Sequence, residues 1–254
     1  MSQAVQENDT KVLADPFGLA TRSPVLRSPA DLGLDYENIT FPSQDGVPLE
    51  GWFIPAPGSD KIIIANHPLW CSRSGLPAHL EPWRSIGAAA GDDFELNFMP
   101  DYRILHDAGY NVLTYDFRNY GLSGAANGGI ITCGILEARD VISSLTYVRG
   151  RADLREMTIG LFSRCLGCNA TMFAMSEHPG AFEGVRCVVG PQPISPRVTL
   201  ERSLALSSIP ADRVDDLAQR IRLRTSFTVD DISPVHAAES VMIPTFRLRS
   251  AATC

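Results

Sequence analysis

The stretch Met157-Thr158-Ile159-Gly160-Leu161-Phe162-Ser163-Arg164-Cys165-Leu166-Gly167-Cys168-Asn169-Ala170 constrains this chain more than any other. It reads as a short apolar strand, a very tight turn, and a helix opening on small residues. A side chain at the tip of such a turn is pushed away from the backbone into open space. The tip residue sits in strained geometry, so the positions two before and two after it must be small. Centred on Cys165, those positions are Ser163 and Gly167, and both satisfy the requirement. Centred on Ser163, they are Leu161 and Cys165, and Leu161 is too bulky. The pattern is therefore S-x-C-x-G with Cys165 at the tip.

The surrounding chain alternates short apolar strands with helix-length segments. Strands are expected at Lys61–Asn66, Asn111–Asp116, Met157–Phe162 and Val185–Gly190, with helices at Tyr102–Ala108, Gly134–Val148 and Leu166–Ser176. Such alternation implies a mostly parallel sheet covered by helices on both faces, an α/β architecture. Ahead of it, Tyr36–Phe41 and Leu49–Ile54 alternate around Ser43-Gln44-Asp45-Gly46 and predict a β-hairpin. Residues 1–34 carry Ser23-Pro24 and Ser28-Pro29 with little periodicity and read as an extended arm.

The order hairpin, then parallel strands, resembles the α/β-hydrolase superfamily. The S-x-C-x-G run is a variant of that family's G-x-S-x-G nucleophile elbow, and cysteine at the tip is similar to its dienelactone-hydrolase-like members. Asp116-Phe117-Arg118-Asn119-Tyr120-Gly121-Leu122-Ser123 is similar to the family's D-x-R-G-x-G-x-S, with Asn119 where glycine is common. Asp231-Ile232-Ser233-Pro234 followed by Ile243-Pro244-Thr245-Phe246 looks like the approach to a further core strand. The resemblance runs from about Tyr36 to Phe246. It divides the chain into the arm 1–34, a core 35–190, a cap or lid insertion 191–230, and a return to the core at 231–254. The alternative for 191–230 is one peripheral helix of the sheet.

The resemblance implies a hydrolase of an ester, thioester or lactone working through an acyl-cysteine, or an acyltransferase using the same nucleophile. Cys165 would be the nucleophile. It begins a helix, whose N–H groups and dipole favour a thiolate, and Arg164 adds a nearby positive charge. The N–H of Leu166 would be one oxyanion donor. The second should come from His67-Pro68-Leu69-Trp70, similar to the family's H-G-x-x; Pro68 has no N–H, so Leu69 or Trp70 would supply it. The plainer alternative for Cys165 is an inert thiol at a helix start.

The family places an acid after the strand near Ile243 and a histidine after the next one. Here no acid follows Glu239 and no histidine follows His236, so the last strand and helix are expected to be absent from this sequence. His106, His178 and His236 each precede a strand, at the wrong edge of the sheet. His67 and His79 follow one and are the candidate bases, with Asp116, or Asp92 and Asp93 of the Leu69–Pro100 insertion, as candidate acids. The alternative for His67 is a loop residue that pins its turn. The missing acid and histidine also leave open a non-catalytic or truncated hydrolase-like protein that binds a small acyl ligand or a protein partner.

Composition bounds the partners. Forty-four per cent hydrophobic and 20% charged residues describe an ordinary globular chain, and a net charge of −7 without a basic cluster argues against nucleic acid. No apolar run is long enough to span a bilayer, and the N-terminus lacks a signal-peptide core. Six scattered cysteines suggest free thiols in a reducing, cytoplasmic setting, with Cys187 expected in the core. Cys165-Leu166-Gly167-Cys168 is also a CxxC at a strand-to-helix junction, but the chain is too long and ordered wrongly for a thioredoxin-like redox fold. No metal or cofactor is implied; the expected partner is a small acyl substrate, with a homo-oligomer open because a missing last strand would expose an edge.

Overall fold

A computed structural model describes residues 15, 18–90 and 94–248. The strands are β1 (Glu37–Pro42), β2 (Pro48–Ile54), β3 (Lys61–Asn66), β4 (Gly75–Leu76), β5 (Leu96–Asn97), β6 (Asn111–Tyr115), β7 (Thr158–Ser163), β8 (Val185–Pro191) and β9 (Thr245–Leu248). The helices are α1 (Trp83–Ala90), α2 (Met99–Asp107), α3 (Ala138–Gly150), α4 (Leu166–Glu177), α5 (Pro196–Leu206), α6 (Val214–Thr225) and α7 (Val235–Ala238).

Seven strands form one sheet in the order β1-β2-β6-β3-β7-β8-β9. β1 and β2 are the expected hairpin, and β2 also runs antiparallel to β6. From β6 onward every pairing is parallel. The central strands are the ones whose sequences do not alternate, because both faces are covered. In β6 all five residues are buried, and in β3 Ile62, Ile64 and Ala65 are fully enclosed. The large buried side chains Tyr102, Tyr115, Phe117 and Tyr120 lie in the same core.

Three loops position the site. The segment after β3 folds back into the two-stranded β4–β5 ribbon and carries α1, two elements that the sequence pattern does not announce. The loop after β6 is organised by Asp116, which accepts hydrogen bonds from the Arg73 N–H at 2.7 Å and the Leu122 N–H at 2.8 Å. Gly121 in that loop has φ +44, and a Cβ there would run into the Asp116 carboxylate, so glycine is required. Asn119, standing where the family motif has glycine, adopts φ 68. Its amide makes the left-handed backbone tolerable by donating to Ile130 O at 3.0 Å and accepting from Ala126 N–H at 2.7 Å. The third loop, after β8, leads into α5, which packs against α1 and against α6.

The described residues of the arm, 15 and 18–34, form no strand, and Leu19 makes one bridge with Ile130. Arg22 fastens the arm, its guanidinium donating to the carbonyls of Tyr120, Gly121 and Ser123. One expectation fails in the sheet: Cys187 is exposed rather than in the core. The pairing of β7 with β8 slips between Ile159 and Gly160, so Arg186 is an extra residue and the alternation of buried and exposed positions is lost there.

Candidate active site

Cys165 lies where β7 turns into α4, at the carboxyl edge of the parallel strands. Its φ of 49° and ψ of −109° fall outside the regions open to an ordinary L-residue. Such strain persists only where the surroundings over-determine it. Here the Cys165 N–H donates to Pro191 O at 2.9 Å, and the Arg164 N–H donates to Asn66 O at 3.1 Å, so neighbouring strands hold the turn on both sides. A Cβ on Gly167 would lie 2.7 Å from Asn66 Cβ and 2.9 Å from its carbonyl oxygen. Ser163 is fully buried, accepting from Asn66 Nδ2 at 2.9 Å and sharing a hydrogen bond of 2.8 Å with Thr171 Oγ1. The small residues on either side of the tip are thus demanded by β3, which runs directly beneath the turn.

Leu166 opens α4, and its N–H has no acceptor among the described residues, as the first turn of a helix leaves it. Leu69 lies on the loop after β3 and faces the same cavity as Cys165. Trp70 follows it at φ 63 and also lines that cavity. The two expected oxyanion donors therefore belong to segments that flank the thiol.

Two cavities meet at Cys165. One, of about 460 Å³, is walled by the start of α5, α7 and Arg247 of β9. The other, of about 520 Å³, is walled by the loop after β3, the β5 region with Phe94, Leu96 and Phe98, and Arg164. Cys165, Gln192, Ile194 and Thr199 line both. Arg164 does not sit free beside the thiol: its guanidinium stacks over Phe98 at 3.8 Å and pairs with Asp101 at 2.6 Å.

The candidate bases and acids fare differently. His67 is completely buried. Its Nε2 accepts from the Phe117 N–H at 3.0 Å and its Nδ1 donates to Pro68 O at 2.7 Å, so the backbone occupies both ring nitrogens and fixes the tautomer. Burial lowers its pKa to about 4, outweighing the nearby Asp116 charge that favours protonation. This is the turn-pinning role, and it leaves no lone pair for a thiol proton. Asp116 is likewise consumed, since besides its two backbone donors it pairs with Arg73 Nη1 at 2.6 Å. In this structure its carboxylate ties the loop after β6 to Arg73.

His79 is over half exposed, and its Nδ1 lies 2.8 Å from Glu95 Oε2. The other ring nitrogen has no partner among the described residues. Glu95 also pairs with Arg27 at 2.9 Å and lines the larger cavity. Asp92 and Asp93 lie outside the described residues. Sequence reasoning missed Glu95, two positions beyond them; its signal was membership of the same insertion. It also missed Arg202 and Arg247, which nothing in their local sequence ties to Cys165.

The remaining histidines line neither cavity at Cys165: His106 is in the last turn of α2, His178 at the end of α4 and His236 on the exposed side of α7. Each precedes the amino end of a strand. Cys168 is fully buried, and burial pushes its thiol up to about 12, which does not suit a redox pair. No group of three or more histidine, cysteine or acidic side chains able to hold a metal ion occurs among the described residues. No helix among them is long and apolar enough to cross a membrane.

No family model matches this chain. Among curated proteins, it is 28% identical over 156 residues to the uncharacterized protein YfhR of Escherichia coli O157:H7, covering 60% of this chain and 45% of that protein. It is 29% identical over 146 residues to YfhR of Salmonella typhimurium, covering 57% and 42%. The chain thus matches less than half the length of these relatives. Among solved structures, the esterase Pf2001 of Pyrococcus furiosus superposes with a TM-score of 0.62 at 21% identity, over 92% of this chain and 79% of that one. DcsB, solved in complex with its substrate analogue, superposes with a TM-score of 0.53 at 13% identity, over 85% and 90%.

Proposed function

From an α/β-hydrolase fold with a strained cysteine at its strand-to-helix turn, we propose that this protein is a hydrolase of ester-type bonds that works through an acyl-cysteine. The observation that carries the reading is Cys165 itself: a residue at φ 49° and ψ −109°, held there from both sides, at the junction of two cavities and at a helix N-terminus.

The thiolate of Cys165 attacks the carbonyl carbon, a C–S bond forms and the carbonyl electrons move to oxygen. The N–H groups of Leu166 and Leu69 receive that oxyanion. Collapse of the tetrahedral species breaks the bond to the leaving group, which departs with a proton. Water then attacks the acyl-cysteine, loses its proton to a base and releases the acid. The base is assigned to His79, oriented by Glu95. It is the histidine at the carboxyl edge that keeps a ring nitrogen open, whereas His67 has both engaged. The segment 191–230, with α5 walling both cavities, is assigned as a cap that selects the substrate.

The test is hydrolysis of a chromogenic short-chain ester, with trapping of the acyl-enzyme by mass spectrometry. Wild type should turn over and show one acyl adduct on Cys165; Cys165→Ala should show neither, and Cys165→Ser should retain only a slow reaction. Transfer of the acyl group to an added alcohol faster than to water would assign an acyltransferase instead. A second reading, a non-catalytic binder of acyl ligands, is favoured by the saturation of His67 and Asp116. It wins if wild type binds the ester without turnover and Cys165 is alkylated by iodoacetamide with the pH profile of an ordinary thiol near pKa ~8.5.

A further inference from the structure

The described cysteines differ in what surrounds their sulfurs. Cys187 is exposed on β8. Cys168 is buried on α4 with its sulfur against Gly190, where an added Cβ would lie 2.7 Å from it, and it lines neither cavity. Cys133 is fully buried ahead of α3 and lines neither cavity. Cys71 is different, because it lines the larger cavity together with Cys165. The sheet brings the two together. Asn66 at the end of β3 and Ser163 at the end of β7 are paired across adjacent parallel strands, and the Arg164 N–H donates to Asn66 O at 3.1 Å. The two chains therefore leave the sheet side by side. Cys71 lies a few residues along one and Cys165 along the other. The Tyr120 hydroxyl is fully buried and has no hydrogen-bond partner among the described residues. Burial pushes its phenol well above the usual range, and negative charge at Glu137, Cys133, Cys71 and Cys165 pushes it further, so both cavity thiols lie within the field of one buried hydroxyl.

We propose that Cys165 and Cys71 form a peroxide-responsive thiol pair: a peroxide entering the larger cavity oxidises Cys165, and Cys71 resolves the product as a disulfide. The proposal goes beyond the hydrolase reading and holds whether or not Cys165 carries acyl groups. Cys165 reacts first. It is partly exposed where both cavities meet, at a helix N-terminus that favours a thiolate, whereas Cys71 is 1% exposed. Its thiolate attacks one peroxide oxygen. The S–O bond forms, the O–O bond breaks, and the departing oxygen takes a proton and leaves as water or an alcohol. The sulfur loses two electrons to the peroxide and becomes a sulfenic acid. The Cys71 thiol then gives up its proton and attacks that sulfur; the S–S bond forms, the S–O bond breaks and water leaves. Closure needs Cα atoms within about 7 Å of each other. The disulfide takes the elbow thiol out of use until a dithiol reductant restores it, and it stops oxidation short of the irreversible sulfinic acid.

The test is peptide mass mapping of the reduced protein in a Cys187→Ser background, after an equimolar pulse of hydrogen peroxide and blocking of the remaining thiols with iodoacetamide. The expected product is a peptide pair joined through Cys71 and Cys165, recovered from a band that runs as a single chain on a denaturing, non-reducing gel. Dithiothreitol should return both residues to alkylatable thiols. In Cys71→Ala the same pulse should leave about tenfold more Cys165 as sulfinic and sulfonic acid, and dithiothreitol should not reverse it. Equal over-oxidation in wild type and Cys71→Ala overturns the inference, as does a link from Cys165 to any other cysteine. Should Cys71→Ala fail to fold, the wild-type map decides alone: absence of the Cys71–Cys165 peptide at every peroxide dose overturns the inference. The readout is a covalent link rather than ester turnover, so its failure leaves the hydrolase reading standing, and failure of that reading leaves the thiol pair standing.

Discussion

His67 and His79 both stand on the chain that follows β3, and both have a carboxylate nearby, yet their surroundings give them opposite capacities. His67 is enclosed, its two nitrogens are spent on Pro68 and Phe117, and its ring is edge-on to Phe117 and Tyr120. His79 is itself more than half exposed, tied through one nitrogen to Glu95. A neighbouring carboxylate does not by itself make a general base; an open lone pair does. The same residue type serves as a rivet in the core and as a candidate proton acceptor at the rim.

His79→Ala should lower ester turnover by roughly two to four orders of magnitude while changing urea stability by less than about 0.5 kcal/mol, as for an exposed side chain. Unchanged turnover would remove His79 from the mechanism. Asp116→Asn should destabilise the fold by about 3–5 kcal/mol, because it leaves the buried Arg73 guanidinium without its charge partner. Chemical denaturation checks this, and a loss below 1 kcal/mol would contradict its role as loop organiser.

His67 should show itself in the pH dependence of stability. Its folded pKa of about 4 lies below the ordinary 6.5, so the unfolded chain binds the proton first. The contribution is complete above about pH 6.5 and is lost as pH falls through 4, amounting to about 3 kcal/mol at 1.36 kcal/mol per pKa unit. By urea melts, the stability that wild type loses between pH 7 and 4 should exceed the loss in His67→Gln by about 3 kcal/mol; equal losses would break the assignment. The smallest effect belongs to Glu95→Gln, which should cost less than about 1 kcal/mol in stability because its ion pairs are partly exposed. It should slow turnover more than it weakens substrate binding, a kcat effect rather than a KM effect.

The parts legible in the sequence were those in which one strong local requirement acts. The turn at Cys165 was readable because only small residues pass over Asn66. The β1–β2 hairpin and the parallel strands were readable from their apolar periods, and α4 was placed within a residue of its observed end. The helix expected at Gly134–Val148 begins four residues later, at Ala138. The buried Glu137 holds Thr132 and Gly134 in a turn of its own, which displaces the helix start. Cys187 was misplaced because a strand slip has no composition signal. That Arg202 and Arg247 line one cavity with Cys165 was invisible because they are 45 residues apart and are joined only by the fold.

Asn169 has a consequence for how the site can open. From the first turns of α4 its amide donates to Ile194 O at 3.0 Å and accepts from the Ile194 N–H at 3.1 Å, while the Gln192 N–H donates to Leu248 O at 2.7 Å. The wall shared by both cavities is therefore bolted to the helix that carries the thiol. If the 191–230 segment acts as the proposed cap, any movement of α5 would have to begin beyond Ile194, leaving Gln192 and Ile194 in register with Cys165. Under the proposed function, such an anchorage would let ligands exchange without re-setting the geometry of the Cys165 turn.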